Sequence, residues 1–257
     1  MLTRRELLAS SLALVAFRDD TLDLVERALR LGGDAEDEDF WAQIQGAFAL
    51  DRNVVNFNNG GCCPSPRIVQ DALRRQIEYS NQAPSYYMWR HLEPEVRNVA
   101  ARLARCFGCS ADEIAVTRNA SEALGIAING LDLRSGDEIL TTNQDYPRMI
   151  NMMKQRARRE GVRFVQVDVP HKPGSPRELV DAVVRGVTSR TKMILVSHVV
   201  FYNGQVWPVR EIAELGRQRG IPVIVDGAHA FAQFPFSNAD LNCAWRSLSA
   251  SCAEESF

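Results

Sequence analysis

The residue that structural roles explain least well is Asp226. It closes an otherwise apolar run, Ile221-Pro-Val-Ile-Val-Asp226. A carboxylate at the end of a buried strand is unfavourable unless a cation or a proton meets it. His229 follows three residues later, and a lone Asp-x-x-His is too common to imply a metal. A second run, 114–117, leads into Arg118-Asn119-Ala120-Ser121. A helix starting near Asn119 would present free N–H groups and the positive end of its dipole, with the Ser121 hydroxyl as a further donor. That chemistry suits a phosphate; the same residues also suit plain N-capping. Tyr146, just beyond the run 138–142, offers a ring either for stacking or for packing. Ser197 and His198 end the run 192–197, and His198 taken alone reads first as a structural histidine.

These residues need a frame that collects them. Short β-rich apolar runs at 114–117, 138–142, 162–169, 192–197 and 221–226 predict strands. Between them, helical periodicity covers 119–130, 147–160, 176–187 and 208–219. Ser175-Pro-Arg-Glu178 has the pattern of a capping box, Pro208 opens the last of these helices and Gly220 closes it. Upstream, Ile68, Ala72, Leu73 and Ile77 share one helical face. So do Val96, Val99, Ala100, Leu103 and Phe107, in a helix starting just after Pro94. Strand–helix alternation at this spacing predicts an α/β fold with a mainly parallel central sheet and helices on both faces. In such sheets ligands gather beyond the carboxyl ends of the strands, where all the residues named above fall.

Composition narrows the classes. The chain has 257 residues, 46% hydrophobic and 24% charged, with a formal net charge of −2, which does not suit a strongly basic nucleic-acid binder. The longest apolar run, Leu7 to Phe17, holds 11 residues, too few to span a bilayer. Six cysteines form no framework; Cys106-Phe-Gly-Cys109 lacks a second pair or two close histidines, so no metal site is expected. A nicotinamide-binding Rossmann domain would carry G-x-G-x-x-G after a strand, and a hydrolase using Ser197, His198 and Asp226 would carry G-x-S-x-G; neither motif occurs. At the amino terminus, Thr3-Arg-Arg-Glu-Leu-Leu8 and the following apolar run look like a short twin-arginine export signal. An amphipathic first helix is the other reading, so both periplasmic and cytoplasmic locations stay open. Residues 31–39 carry five acids in nine positions and read as a solvated linker.

Taken together, six segments resemble the class V aminotransferase family of fold-type I pyridoxal-phosphate enzymes, in its isopenicillin N epimerase-like branch. They are Asn56-Phe-Asn-Asn-Gly-Gly61, Pro84-Ser-Tyr-Tyr-Met-Trp-Arg90 with Leu92-Glu-Pro-Glu95, Val116-Thr-Arg-Asn-Ala-Ser-Glu-Ala123, Asp145-Tyr-Pro147, Arg190-Thr-Lys-Met-Ile-Leu-Val-Ser-His198 and Val225-Asp-Gly-Ala-His229. The resemblance runs collinearly over about residues 40–242. It implies pyridoxal 5'-phosphate as cofactor, an amino acid as substrate and a homodimer. It also implies roles: Asn119, Ala120 and Ser121 on the phosphate, Tyr146 stacked on the pyridine ring, Asp226 paired with the pyridinium nitrogen, and Ser197 and His229 on the ring hydroxyl or phosphate. Asn58, Asn59 and Gly60 would face the substrate. The domain reading is a possible signal and acidic linker at 1–39, a cofactor-binding large domain at 40–243, and an atypical tail at 244–257.

One part of the family pattern is missing. The resemblance calls for a lysine shortly beyond Asp-x-x-His, forming the Schiff base with the cofactor. The three lysines here are Lys154, Lys172 and Lys192, all earlier in the chain. Lys192 begins its strand, roughly 16 Å from Ser197 at about 3.3 Å per residue, and Lys154 belongs to a helix returning to the opposite edge. No catalytic residue is therefore assigned. The serine-rich tail predicts a chain that departs from the family before its lysine and its smaller C-terminal domain. Two functions follow: an epimerase, lyase or transaminase lineage that is inactive or impaired as this chain, or a non-catalytic remnant that binds ligand or docks with an intact paralogue.

Overall fold

The computed structural model describes residues 37–57, 62–231, 233–241 and 245–247. They fall in two compact parts, one ending at Val116 and the other beginning at Thr117. The proposed export signal, most of the acidic linker, the Asn58–Gly61 turn and nearly all of the tail lie outside the described residues.

The first part is helical. α1 (Glu38–Gly46) is N-capped by Asp37, whose carboxylate accepts from the Asp39 and Phe40 N–H groups. α2 (Arg67–Gln82) buries Ile68, but Leu73 and Ile77 on the same face are 62% and 53% exposed. A short α3 (Pro84–Tyr87) passes through a π-helical turn, Met88–Leu92, into α4 (Glu93–Phe107). The helix thus extends upstream of Pro94 rather than starting after it, and it buries Ala100, Ala104 and Phe107. Cys106 lies on α4 and Cys109 in the turn behind it, after Gly108 at φ 75°. Burial pushes the Cys106 thiol up.

The run 114–117 is not a strand. Ser110 and Glu113 form a reciprocal capping box around a 3-10 turn, Ala111–Glu113. The chain then runs on unpaired by any ladder, with Ala115 and Val116 exposed. Three apolar residues without a face to bury cannot sustain sheet pairing.

The second part is the α/β unit. α5 (Ala120–Gly130) leads to β1 (Glu138–Thr142), α6 (Pro147–Glu160), β2 (Arg163–Val167), α7 (Pro176–Gly186), β3 (Thr191–Ser197), α8 (Val209–Arg219), β4 (Val223–Asp226), a short α9 (Asn238–Leu241) and β5 (Trp245–Ser247). All strands are parallel, in the order β2-β1-β3-β4-β5. The fifth strand comes from the segment read in the sequence as tail. Four strand and four helix expectations thus hold in this unit to within about two residues. The capping box at Ser175 does not form as expected: Glu178 instead accepts from the Gly174 N–H, 3.1 Å away.

Alternation assigns the faces. Ile139, Met193, Leu195 and Ile224 pack with Leu124 and Ile128 of α5 and Met149, Ile150 and Met153 of α6. The intervening Leu140 and Val223 meet α7 and α8 on the other face, where two helices approach so closely that only glycine fits. A Cβ on Gly216 would lie 2.4 Å from Val223 Cγ2 and 2.6 Å from the Ile221 carbonyl. We expect Gly216→Ala to lower stability by about 1–3 kcal/mol, because backbone must move to relieve the overlap. Thermal unfolding checks this, and an unchanged midpoint would contradict such close packing.

Candidate active site

The carboxyl edge of the sheet gathers the candidate residues. Ser197 and Asp226 are partners in the parallel β3–β4 register, so their side chains leave the sheet on one face. Parity identifies it as the α5/α6 face, since Ser197 follows Met193 and Leu195, and Asp226 follows Ile224. Both residues are buried.

Both helices on that face begin at this edge. The carboxyl end of α5 is fixed at the opposite edge by Arg156 of α6, whose guanidinium donates to the Ile128 and Leu131 carbonyls and, at 2.7 Å, to Glu160. Eleven residues at about 1.5 Å each then carry the start of α5 back towards the carboxyl edge. There Asn119 caps the helix, its side-chain oxygen accepting from the Glu122 N–H at 2.9 Å. Glu122 in turn accepts from the Arg118 N–H and guanidinium. N-capping is therefore realised, and it uses one amide; Asn119 and Ser121 remain exposed and accessible to a ligand.

Tyr146 precedes α6 as its N-cap residue, and its ring meets Phe201 edge-on at 5.3 Å. Phe201 packs on Tyr202, whose hydroxyl lies 3.1 Å from His171 Nδ1. His198 points away from Ser197. Its ring contacts Phe234 and Phe236 at 5.3 and 4.9 Å, Nδ1 has no hydrogen-bond partner among the described residues, and burial pushes its pKa down to about 4. A neutral, aromatic-packed imidazole fits the structural reading. His229 is half-buried, and burial lowers its pKa. Asn58, Asn59 and Gly60 lie outside the described residues.

Asp226 is 5% exposed. Its carboxylate accepts from the Ala228 N–H at 3.1 Å, and among the described residues no arginine, lysine or histidine pairs with it. Burial raises its pKa to about 6, and the nearby Asp145 carboxylate adds to the effect. A buried acid without a cation is what a protonated heteroaromatic ring would complete.

Asp145 was not singled out by its own chemistry in the sequence. It is 3% exposed, and its carboxylate joins the ends of two strands. One oxygen accepts from the Thr141 hydroxyl, the Thr142 N–H and the Thr142 hydroxyl; the other accepts from the Ser197 N–H at 2.6 Å. The only signal was its place in Asp145-Tyr-Pro147, since its partner Ser197 is 52 residues away.

A parallel sheet with polar side chains gathered at its carboxyl edge, beneath two helix starts, defines the class: an α/β protein with the architecture that places ligand sites at that edge. The chain belongs to the class-V aminotransferase family, whose model matches residues 55–251. It is 30% identical over 190 residues to the isopenicillin N epimerase of Streptomyces clavuligerus and 32% identical over 193 residues to that of Amycolatopsis lactamdurans. Each alignment covers 74% of this chain and 48% of the relative, so the chain spans about half the length of the curated relatives it matches. Among solved structures, a C-DES mutant with glycine covalently linked to its PLP cofactor superposes with a TM-score of 0.70 at 24% identity. That match covers 79% of this chain and 54% of the other. The cystine C-S lyase C-DES with its product cysteine persulfide gives 0.68 at 25% identity, over 76% of this chain and 53% of the other.

Proposed function

We propose that this chain carries the pyridoxal 5'-phosphate pocket of a class V enzyme acting on an amino acid, in an epimerase, lyase or transaminase lineage, with residues 40–243 as the cofactor-binding domain. The observation that carries the reading is Asp226, a carboxylate at the end of β4 that pairs with no cation among the described residues and whose pKa burial raises to about 6. It fits a pyridinium N–H, and holding that proton is its role. Tyr146, braced by Phe201, stacks on the ring, a contact worth on the order of 1 kcal/mol. The N–H groups of Ala120 and Ser121, with Asn119 and the Ser121 hydroxyl, take the phosphate at the start of α5. Ser197 and His229 contact the ring hydroxyl or the phosphate. When bound, the cofactor supplies an electron sink at the substrate α-carbon. The names of the epimerase and lyase relatives support an amino-acid substrate.

The three lysines argue for reversible binding by this 257-residue polypeptide. Lys192 lines a cleft with Thr188 and Arg219 at the amino edge of the sheet, the far side from Asp226. Lys154, midway along α6, lies 5.2 Å from the centre of the Phe164 ring. Lys172 lies in the loop after β2, the strand three positions from β4, next to His171, whose ring packs on Tyr202. Adding pyridoxal phosphate to the purified polypeptide tests the reading through visible circular dichroism. We expect a saturable induced band that dialysis removes, no lysine fixed by borohydride, and no turnover of amino acids. Absence of a saturable band overturns the cofactor assignment; stoichiometric fixation at one lysine overturns the reversible mode.

A further inference from the structure

We infer that Asp145 is a positioning residue for the cofactor: its carboxylate clasps the ends of β1 and β3 and so sets Tyr146 and Ser197 in register with Asp226. The inference rests on the pyridoxal-phosphate reading and assigns a role that the family resemblance left blank.

The argument starts from how poorly a carboxylate suits this place. Asp145, Thr141 and Thr142 are all nearly inaccessible to water, and no cation pairs with Asp145 among the described residues. Burial raises its pKa, against the pull of its four hydrogen-bond donors. An apolar side chain would avoid that penalty, and an asparagine would avoid the charge. Neither could make the bonds. Both oxygens face backbone N–H groups, Thr142 on one side and Ser197 on the other. An amide presents an acceptor to one of them and an NH2 group to the other, leaving a buried N–H opposed by donors. Only a carboxylate accepts in both directions.

What the clasp joins is the proposed site. Tyr146 is the next residue, and the Phe201 ring meets its ring nearly at right angles, 5.3 Å away. Ser197 has its N–H on Asp145 and its register partner in Asp226. Tyr146, Asp145, Ser197 and Asp226 thus form one continuous chain of covalent, hydrogen-bonded and ladder contacts across three strands. Loosening it would tilt the stacking ring relative to the nitrogen partner.

The test is Asp145→Asn in the 257-residue polypeptide, read by pyridoxal-phosphate affinity and by the visible circular dichroism per bound cofactor. We expect affinity to fall about tenfold and the induced band to weaken or change sign. Thr141→Val removes one of the three donors at a single oxygen and gives a milder variant, with a loss of roughly threefold, in case Asp145→Asn does not fold. Arg156→Lys controls for general destabilisation: its bonds lie at the opposite edge, so the band per bound cofactor stays as in the parent. Tyr146→Leu combined with Asp145→Asn should lose less than the sum of the two separate losses. If the parent binds and both clasp variants keep its affinity and band, or if Arg156→Lys alters the band equally, Asp145 is structural only and the inference fails by itself. If the parent shows no binding, the cofactor reading fails first and this one with it.

Discussion

Asp226→Asn should stabilise the ligand-free protein at neutral pH while weakening its hold on pyridoxal phosphate. In the free protein the Asp226 carboxyl titrates near 6, against an ordinary value near 3.8, because burial disfavours its charge. The folded state therefore keeps a proton that the unfolded chain has released, and stability drains away as pH rises from about 4 through 6. Two pKa units correspond to about 3 kcal/mol. Asparagine removes the charge but buries an amide with few partners, so the net gain at pH 7.5 is about 1–3 kcal/mol, read as a higher unfolding midpoint. The gain should shrink as pH falls towards 4. His198, held near 4, works in the other direction: it makes the fold lose stability as pH falls from 6.5 towards 4. That slope should stand out more clearly in the variant. With saturating pyridoxal phosphate the order reverses, because only the carboxylate can pair with a protonated ring nitrogen. A variant no more stable than its parent at pH 7.5 would mean that Asp226 already has a cation.

Arg156→Met should be the most damaging change away from the site. The guanidinium is 3% exposed and ties α6 to α5 through two carbonyls at the α5 terminus, while Glu160 takes its third bond. Helix ends leave their last carbonyls without intrahelical donors, and here one side chain meets two such needs at once. A methionine of similar length would leave the buried Ile128 carbonyl and the part-buried Leu131 carbonyl without their guanidinium donors, and Glu160 would keep its pairing with Arg159. The expected loss is about 3–5 kcal/mol, measured by denaturant unfolding with an unchanged m-value. Lysine should recover only part, since an ammonium cannot reproduce the planar fork. A loss below about 1 kcal/mol would show that water replaces the guanidinium readily.

Much of the α/β unit was legible from its apolar periodicity. The runs around 140, 165, 194 and 224 are bounded by glycine, proline or capping residues, and the register follows once the strands are parallel. The segment at 114–117 misled because composition cannot report burial: Ile114, Ala115 and Val116 look like a strand, yet they join no ladder among the described residues, and Ala115 and Val116 are exposed. Leu73 and Ile77 misled in the same way, being periodic but exposed. In the site, Asp226 announced itself by interrupting an apolar pattern with a charge. Asp145 did not, because its meaning depends on Ser197, far away in sequence and adjacent only after the sheet has formed. The capping box at Ser175 failed for a subtler reason: Glu178 found the neighbouring N–H of Gly174 equally reachable.

The pairing of Ser197 with Asp226 also constrains which length changes β3 can survive. Side chains alternate about the sheet, so one extra residue between Met193 and Ser197 would rotate everything after it by half a turn. The imidazole now packed among phenylalanines would enter the ligand pocket, and the serine would take its place among the rings. Replacements can tune this strand; insertions and deletions of odd length would exchange its two surfaces wholesale.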